Sequence, residues 1–275
     1  MGVRILYIAE IVGKTGVFVV KKLLPELRRE LRPDLVVACA DGATGGSGLG
    51  RSHAVYLRKL GADVLTTGER GFYKRDIVDF FPKVSWLLRP ANYPAGVPGQ
   101  GWRVYQAGVR KIAVIQLLGQ AGFARTHLAN PFLLADDLVP RLRQEAPVVL
   151  VEFHAATTSE KITMAAHLDG RVTAVIGAHT RIPTADARIS ARGTAAITDA
   201  GRTGSFLSVG GMDPEDRIRE YLTGIPGWSK DGKGDLELQG CLVEAGEDGL
   251  AVSIQLIRRA CKEVMIERTG NGDED

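Results

Sequence analysis

The fold is decided first by the stretch VRILYIAEIVGKTGVFVVKKLLPELRREL, residues 3–31. Its opening, VRILYIAE (3–10), is a short run rich in β-branched and apolar residues that leads into a glycine-containing turn, which is typical of a buried strand. The next segment, VFVVKKLLPELRREL (17–31), places apolar residues at helical spacing with Lys and Arg on the opposite face. A strand followed by an amphipathic helix is the repeating unit of an α/β fold.

The same unit recurs along the chain. Further predicted strands are DLVVACAD (34–41), DVLTTGE (63–69), RKIAVIQLLG (110–119), PVVLVEFH (147–154) and RVTAVIGAH (171–179), with helical patterns between them. Beyond residue 185 the pattern changes to alternating strands with glycine turns, as in ARISARGTAAITD (187–199) and LELQGCLVEAGEDGLAVSIQLI (236–257). This alternation predicts antiparallel hairpins, so we expect mixed sheets.

Composition narrows the class of protein. The chain has 275 residues, 35 basic against 32 acidic side chains, and 45% apolar residues, which excludes a disordered or fibrous protein. The near balance of charge gives no overall electrostatic signature for nucleic acid or an anionic membrane. Because no linker or repeat is evident, we predict a single domain at 1–267 and a flexible acidic tail at 268–275.

Cysteine usage and the amino terminus bear on the compartment. Three cysteines, Cys39, Cys241 and Cys261, form no close pair and are odd in number, which argues against a disulfide framework. The first residues lack a cationic segment before an apolar run, and no stretch reaches 18 apolar residues. We therefore predict a cytoplasmic protein with no membrane partner.

Charged and imidazole side chains stand at the ends of five predicted strands. They are Glu10, Asp41, Glu69, His154 and His179. Ligands gather at the carboxyl ends of strands in open α/β sheets, and carboxylates with imidazoles are the donors of a divalent-metal site. Acidic residues at strand ends also cap the following helix, and single histidines are often hydrogen-bonded scaffold residues. The joint occurrence of all five favours a metal site.

Two arginines accompany this set. Arg70 directly follows Glu69, and Arg181 stands two residues beyond His179. A guanidinium placed among carboxylates could neutralise them without a metal, or it could hold a phosphate oxygen with its fork of donors. Solvated surface arginines are the third interpretation, and the residues alone leave all three open.

Several motifs carry a resemblance to a known family. They are IVGKTG (11–16), GATGG (42–46), LRPANYP (88–94), FHAATTSEK (153–161), LDGRV (168–172), TADARI (184–189) and ITDAGRTG (197–204). Through them the chain resembles, nearly end to end, the YmdB-like branch of the calcineurin-like metallophosphoesterases, dimetal phosphodiesterases associated with 2',3'-cyclic nucleotides. The resemblance implies an α/β sandwich of two mixed sheets flanked by helices, a two-metal centre and a homo-oligomer.

The resemblance breaks at the functional positions. The family has an aspartate at Glu10, a glutamate at Asp41 and an asparagine at both Gly42 and Glu69. It has the acid histidine at Arg70 and a third histidine ligand at Arg181, whereas His154 and His179 are retained. A guanidinium stays protonated and donates no lone pair, so one ligand is lost and a fixed positive charge takes its place. Nor is Arg70 suited to act as the catalytic acid.

Three hypotheses follow from these changes. The leading hypothesis is a diverged, catalytically inactive or strongly impaired relative without a bound metal, retained for assembly or for binding, with an unknown protein partner. A further hypothesis is metal-independent recognition of a nucleotide or RNA phosphate through Arg70 and Arg181. The alternative is an active metal-dependent phosphodiesterase with one or two Mn, Fe or Zn ions. Its rearranged centre would use all five strand-end residues, Glu10, Asp41, Glu69, His154 and His179.

Overall fold

The computed structural model of the protein describes residues 2–123 and 127–263. The predicted acidic tail (268–275) and the last residues of the predicted domain (1–267) lie outside this range. In chain order the elements are β1 (Val3–Ile8), β2 (Glu10–Ile11), α1 (Gly13–Leu31), β3 (Leu35–Cys39), α2 (Arg51–Lys59), β4 (Val64–Thr66), α3 (Arg75–Val78), a 3-10 turn (Phe81–Lys83), β5 (Leu87–Leu88), β6 (Trp102–Ala107), β7 (Arg110–Leu118), α4 (Pro131–Glu145), β8 (Val148–His154), α5 (Thr158–His167), β9 (Ala174–Ala178), β10 (Arg188–Ile189), β11 (Ala195–Ile197), β12 (Arg202–Leu207), α6 (Pro214–Thr223), β13 (Gly234–Ala245) and β14 (Ala251–Cys261).

The strands form two mixed sheets, as predicted. The first has the order β2-β12-β13-β1-β3-β4-β5, with β14 paired to β13, and the second has the order β10-β11-β9-β8-β7-β6. Strands β1, β3, β4 and β5 run parallel, whereas β13 runs antiparallel to both β1 and β14. The second sheet is parallel at its centre and antiparallel at both edges. The predicted fold class is thus confirmed.

The two sheets pack face to face around an apolar layer. Tyr7, Val37 and Cys241 of the first sheet and Val114 and Leu150 of the second belong to this cluster. The outer face of each sheet is covered by helices, which form separate apolar clusters with it. This layering places the carboxyl ends of the central parallel strands of both sheets beside one another, and that is where the polar residues gather.

Helix α1 shows how the sequence produces this layering. Its buried residues include Val17, Val20, Leu24 and Leu27, a spacing of three and four that keeps one face against the first sheet. The helix ends at Arg32, which adopts a left-handed conformation and donates its backbone N–H to the carbonyl of Arg28.

Within residues 2–123 and 127–263, no helix combines the length and apolar character needed to cross a bilayer.

Candidate functional site

The five strand-end residues come together where the two sheets meet. Asp41 lies two residues beyond β3, and His154 is the last residue of β8. His179 directly follows β9, and Glu69 lies three residues beyond β4. The sequence predicted that Glu10 ends the first strand. In the structure, Glu10 instead begins the short strand β2, which pairs in parallel with β12.

Glu69 is at the centre of a contact network with the two histidines. Its Oε2 lies 2.7 Å from Nε2 of His154, and its Oε1 lies 3.3 Å from Nδ1 of His179. The two histidine rings are themselves 3.3 Å apart between these nitrogens. Phe123 covers the pair, with its ring centroid 4.9 Å from that of His179. One carboxylate therefore holds two imidazoles from neighbouring strands of the second sheet.

Asp41 is held on the other side of this network by backbone donors. The N–H of Gly68 donates to its Oδ1 at 2.6 Å, and the N–H of Arg70 donates to its Oδ2 at 3.3 Å. Oδ2 also lies 3.8 Å from Nε2 of His154. Asp41 thus faces the same histidine as Glu69.

Glu10 faces a guanidinium. Oε1 of Glu10 accepts from both Nε (2.9 Å) and Nη2 (2.6 Å) of Arg181. Arg181 is only 9% exposed and donates further to the carbonyls of Gly210 and Gly46, each at 3.0 Å. The interpretation of Arg181 as a solvated surface residue is therefore wrong. It lies among the site's carboxylates, because Glu10 and two backbone carbonyls satisfy its donors.

Gly42 provides the space for this guanidinium. A Cβ atom built at Gly42 would lie 2.8 Å from Nη2 of Arg181, 3.0 Å from Oε1 of Glu10 and 3.1 Å from the carbonyl oxygen of Ile11. A side chain at position 42 would therefore press on the guanidinium of Arg181, which would have to shift to make room for it. The glycine favours the close approach of Arg181 to Glu10.

Arg70 is less enclosed. Its Nε lies 3.0 Å from Oε1 of Glu69, its Nη1 donates to the carbonyl of Gly46 at 3.1 Å, and its side chain is 29% exposed. A guanidinium carries five N–H donors. These two contacts use two of the five, so three N–H groups remain without a partner among the described residues.

The charges of neighbouring side chains, together with burial, determine the pKa of each titratable group in the site. Burial alone would lower the pKa of His154, but the facing carboxylates, Glu69 first, raise it to about 9. Burial and the neighbouring charge of Glu69 raise the pKa of Asp41 to about 7. Burial opposes ionisation of Glu10 and Glu69 as well, yet Arg181 lowers the pKa of Glu10 and the histidines lower that of Glu69.

The turn that carries His179 and Arg181 is unusual in its backbone. Both residues have positive φ, 97° and 60°, a region that costs energy for side chains other than glycine. Between them, Thr180 donates its N–H (2.9 Å) and its hydroxyl (2.6 Å) to Oδ2 of Asp199. Nζ of Lys161 donates to the same oxygen at 2.8 Å, and both Lys161 and Asp199 are buried. This buried pair holds the strained turn in place.

These supporting residues were not predicted from the sequence. Lys161 and Asp199 lie in the quoted motifs FHAATTSEK and ITDAGRTG but were assigned no role. The available signal was the helical pattern of α5, in which Lys161 occupies a buried position one turn before Met164. A lysine on the buried face of a helix requires a partner.

Within residues 2–123 and 127–263, two groups of side chains could hold a metal ion. One consists of Glu69, His154 and His179, and the other of Glu10, Cys39 and His154. In each group the ligand atoms lie within 4.8 Å of one another. Cys39 was not predicted as a site residue.

A cleft of about 760 Å³ lies in front of this network. The residues that line it include Arg70, Arg181, residues 45–47, Tyr73 and Trp228. Both guanidiniums thus border solvent-accessible space large enough for a small phosphate ester.

The family model described as "YmdB-like protein" matches residues 6–257. The chain belongs to the YmdB-like family. It is 37% identical over 241 residues to the 2',3'-cyclic-nucleotide 2'-phosphodiesterase of Bacillus subtilis (strain 168), covering 88% of this chain and 90% of that protein.

Solved structures agree with this assignment. A hypothetical protein from Thermus thermophilus superposes with a TM-score of 0.87 at 33% identity, covering 94% of this chain and 99% of that one. A phosphatase from Mycoplasma pneumoniae superposes with a TM-score of 0.88 at 30% identity, covering 94% of both chains. The chain therefore has phosphoesterase relatives along nearly its whole length.

The YmdB-like family is metal-dependent, so we tested whether the residues present fit two ions. Oε1 of Glu10 already pairs with Arg181, and this guanidinium and Gly42 occupy the positions of two ligands named by the resemblance. The first ion of a pair therefore does not fit. The group Glu69, His154 and His179, with Asp41 beside it, does fit a single ion in the kind and proximity of its donors.

Proposed function

We propose that this YmdB-like protein binds a phosphate ester in the cleft through Arg70 and does not carry out two-metal phosphodiester hydrolysis. The observation that carries the proposal is the buried pair between Arg181 and Glu10. Two-metal hydrolysis needs two cations about 3.5–4 Å apart that stabilise the attacking and leaving oxygens. A guanidinium supplies positive charge, but it neither activates water nor accepts a ligand's lone pair.

The two arginines have different roles in this proposal. Contacts with Glu10 and with two carbonyls use four of the five N–H groups of Arg181, so its role is to neutralise the buried carboxylate. Arg70 keeps three N–H groups that no described residue accepts from, at the edge of the cleft. Guanidinium forks of this kind bind phosphate through two parallel hydrogen bonds. Arg70 is therefore the phosphate-binding residue, and Arg181 positions Glu10 and closes the floor.

The experiment compares binding with turnover. We expect bis-p-nitrophenyl phosphate to bind in a salt-sensitive manner, measured by calorimetry, and Arg70→Ala to weaken that binding at least tenfold. Arg141→Ala serves as the control, because Arg141 is an exposed residue of α4 paired with Asp137. We expect no hydrolysis of this compound or of 2',3'-cyclic AMP with added Mn²⁺. Turnover that His154→Ala abolishes would overturn the proposal.

A second candidate is a phosphodiesterase with a single metal ion, and the group Glu69, His154 and His179 favours it. Here Arg70 would hold the phosphate and the ion would supply the remaining positive charge. This candidate expects hydrolysis that stops on addition of a chelator and that His179→Ala reduces. Hydrolysis that persists without metal would exclude it.

A further inference from the structure

A second cavity, of about 510 Å³, lies beside strand β6. Its lining comes from the turn after β5, from β6 and the turn before it, and from helix α4. None of these lining residues borders the cleft that contains Arg70. The cavity therefore takes no part in the proposed phosphate site.

Arg89, in the lining of this cavity, is a buried cation without an anionic partner. It directly follows β5, in the motif LRPANYP, and is only 9% exposed. Unlike Arg181, it forms no ion pair with a carboxylate of the described residues. Burial lowers the pKa of Arg89, and the neighbouring group that opposes this effect is Tyr93 rather than a carboxylate. Because a buried charge is costly unless it is paired, Arg89 favours an anion beside it.

The guanidinium of Arg89 is also incompletely hydrogen-bonded. Its Nη1 donates to the carbonyl of Pro90 at 2.7 Å, and its Nη2 donates to the carbonyl of Val97 at 3.2 Å. Its Nε is buried and has no partner within residues 2–123 and 127–263. A guanidinium has five N–H groups, so Nη1 and Nη2 each keep a second N–H that no described residue accepts from. Buried donors without partners are rare, and each one requires an explanation.

Arg103 brings a second guanidinium to the same cavity. Its Nη1 donates to Oε1 of Gln100 at 3.0 Å, and no carboxylate in the described part of the chain pairs with it. Glu145 is the acidic residue of the lining, and it pairs at 3.8 Å with Lys111, which lies outside the lining. Two guanidiniums and one carboxylate leave the lining with a net positive charge. This balance matches a monoanion and disfavours a dianion, which would face the like charge of Glu145.

We propose that this cavity binds a small organic carboxylate, with its charged group between Arg89 and Arg103 and its apolar part against Trp102. Guanidiniums bind carboxylates through parallel, charge-assisted hydrogen bonds. Trp102 is 41% exposed, and Val104 and Leu134 add further apolar surface to the lining. A concave site with apolar walls and a few charged groups is typical of small-molecule binding.

The test follows the indole N–H signals of the full-length protein by NMR. The chain has three tryptophans, Trp86, Trp102 and Trp228, and replacing each with phenylalanine assigns its signal. We expect benzoate at neutral pH to shift the Trp102 signal until it saturates. Benzamide has nearly the same shape without the charge, so it should bind at least about tenfold more weakly. Trp228 lines the cleft, so its signal reports on the proposed phosphate site instead.

Variants of the two arginines test the charge recognition. Arg103→Ala should weaken benzoate binding at least about tenfold. Arg110→Ala is the matched control and should leave it unchanged, because Arg110 pairs with Glu247 and is not part of the lining. Arg89→Met should abolish the shift of the Trp102 signal. Trp86 packs against the apolar cluster of the first sheet, so its signal shows whether this variant still folds.

Three results would overturn the carboxylate site. They are a Trp102 signal that benzoate does not shift, an affinity for benzoate that Arg103→Ala leaves unchanged, and tighter binding of phenyl phosphate than of benzoate at Trp102. The Trp228 signal decides phosphate binding by Arg70 separately, so a failure of one site is distinguishable from a failure of the other.

Discussion

At the scale of single residues, the site depends on Gly42, whose lack of a side chain leaves space for the guanidinium of Arg181. Arg181 places its guanidinium where a Cβ atom at position 42 would stand. The two residues belong together, because Arg181 needs the space that Gly42 leaves. Gly42 without Arg181 would leave a void beside Glu10. The two positions should therefore be strongly coupled energetically.

Gly42→Ala tests this coupling. We expect it to shift the guanidinium, weaken the Arg181–Glu10 pair and lower the free energy of unfolding by about 1–3 kcal/mol, the cost of overpacking a buried site. In an Arg181→Ala background the same change should cost much less, as measured by urea denaturation in a double-mutant cycle. Gly227→Ala is the control, since a Cβ there has no neighbour within 4 Å. Equal costs in both backgrounds would contradict the coupling.

At the scale of elements, the Lys161–Asp199 pair joins helix α5 to the turn that carries His179 and Arg181. Removing the lysine leaves the buried carboxylate of Asp199 without its positive partner. Unpaired buried charges cost several kcal/mol, and this one also supports a strained turn.

Lys161→Met should therefore lower the free energy of unfolding by about 3–5 kcal/mol. Lys111→Met is the control, because Lys111 forms an exposed pair with Glu145, and such pairs contribute about 0–1 kcal/mol. Urea denaturation measures both. A cost for Lys161→Met as small as that of the control would show that the pair does not support the turn.

Most elements were predictable from sequence because periodicity reports burial. The runs at 34–41 and 147–154 became β3 and β8, and the hairpin pattern at 236–257 became β13 and β14. The convergence of the five site residues followed from their common place near strand ends. The roles of Gly42 and Lys161 did not follow, because each depends on a contact between distant segments that no local pattern encodes.

At the scale of the whole molecule, the site makes stability depend on pH. The pKa of His154 rises from 6.5 to about 9 on folding, so the folded state holds this proton more tightly. Its contribution is fully present below pH 6.5 and is lost as the pH rises through 9. Asp41 and Glu152, each with a pKa raised to about 7, act in the same direction at lower pH. The lowered pKa of Glu69 has the opposite effect on stability. Its stabilising contribution is lost as the pH falls, and this happens only in acid.

We therefore expect the free energy of unfolding to fall between about pH 7 and 9, by at most about 1.4 kcal/mol per pH unit for one proton. Urea denaturation of metal-free protein at several pH values measures this slope. His154→Gln should flatten it, whereas His167→Gln, which alters a partly exposed residue of α5, should not. A slope that His154→Gln leaves unchanged would assign it to other groups.

The homo-oligomer implied by the family resemblance stays a prediction. Helix α6 buries none of its residues and exposes Ile218, Tyr221 and Leu222, and apolar groups exposed together often mark an interface. Light scattering should give a mass of two or more chains of 29.6 kDa each. A monomer at micromolar concentration would contradict it.

The missing side chain at Gly42 also restricts how such a protein could have arisen or could revert. In a relative with asparagine at 42, as the family resemblance implies, that side chain would press on a guanidinium at position 181, so we expect the space to open before or together with the arrival of Arg181. Reversal meets the same obstacle, because restoring the amide first would collide with the guanidinium. Restoring the histidine first would return a lone-pair donor without collision, so a return to two-metal chemistry has an ordered route in which position 181 changes before position 42.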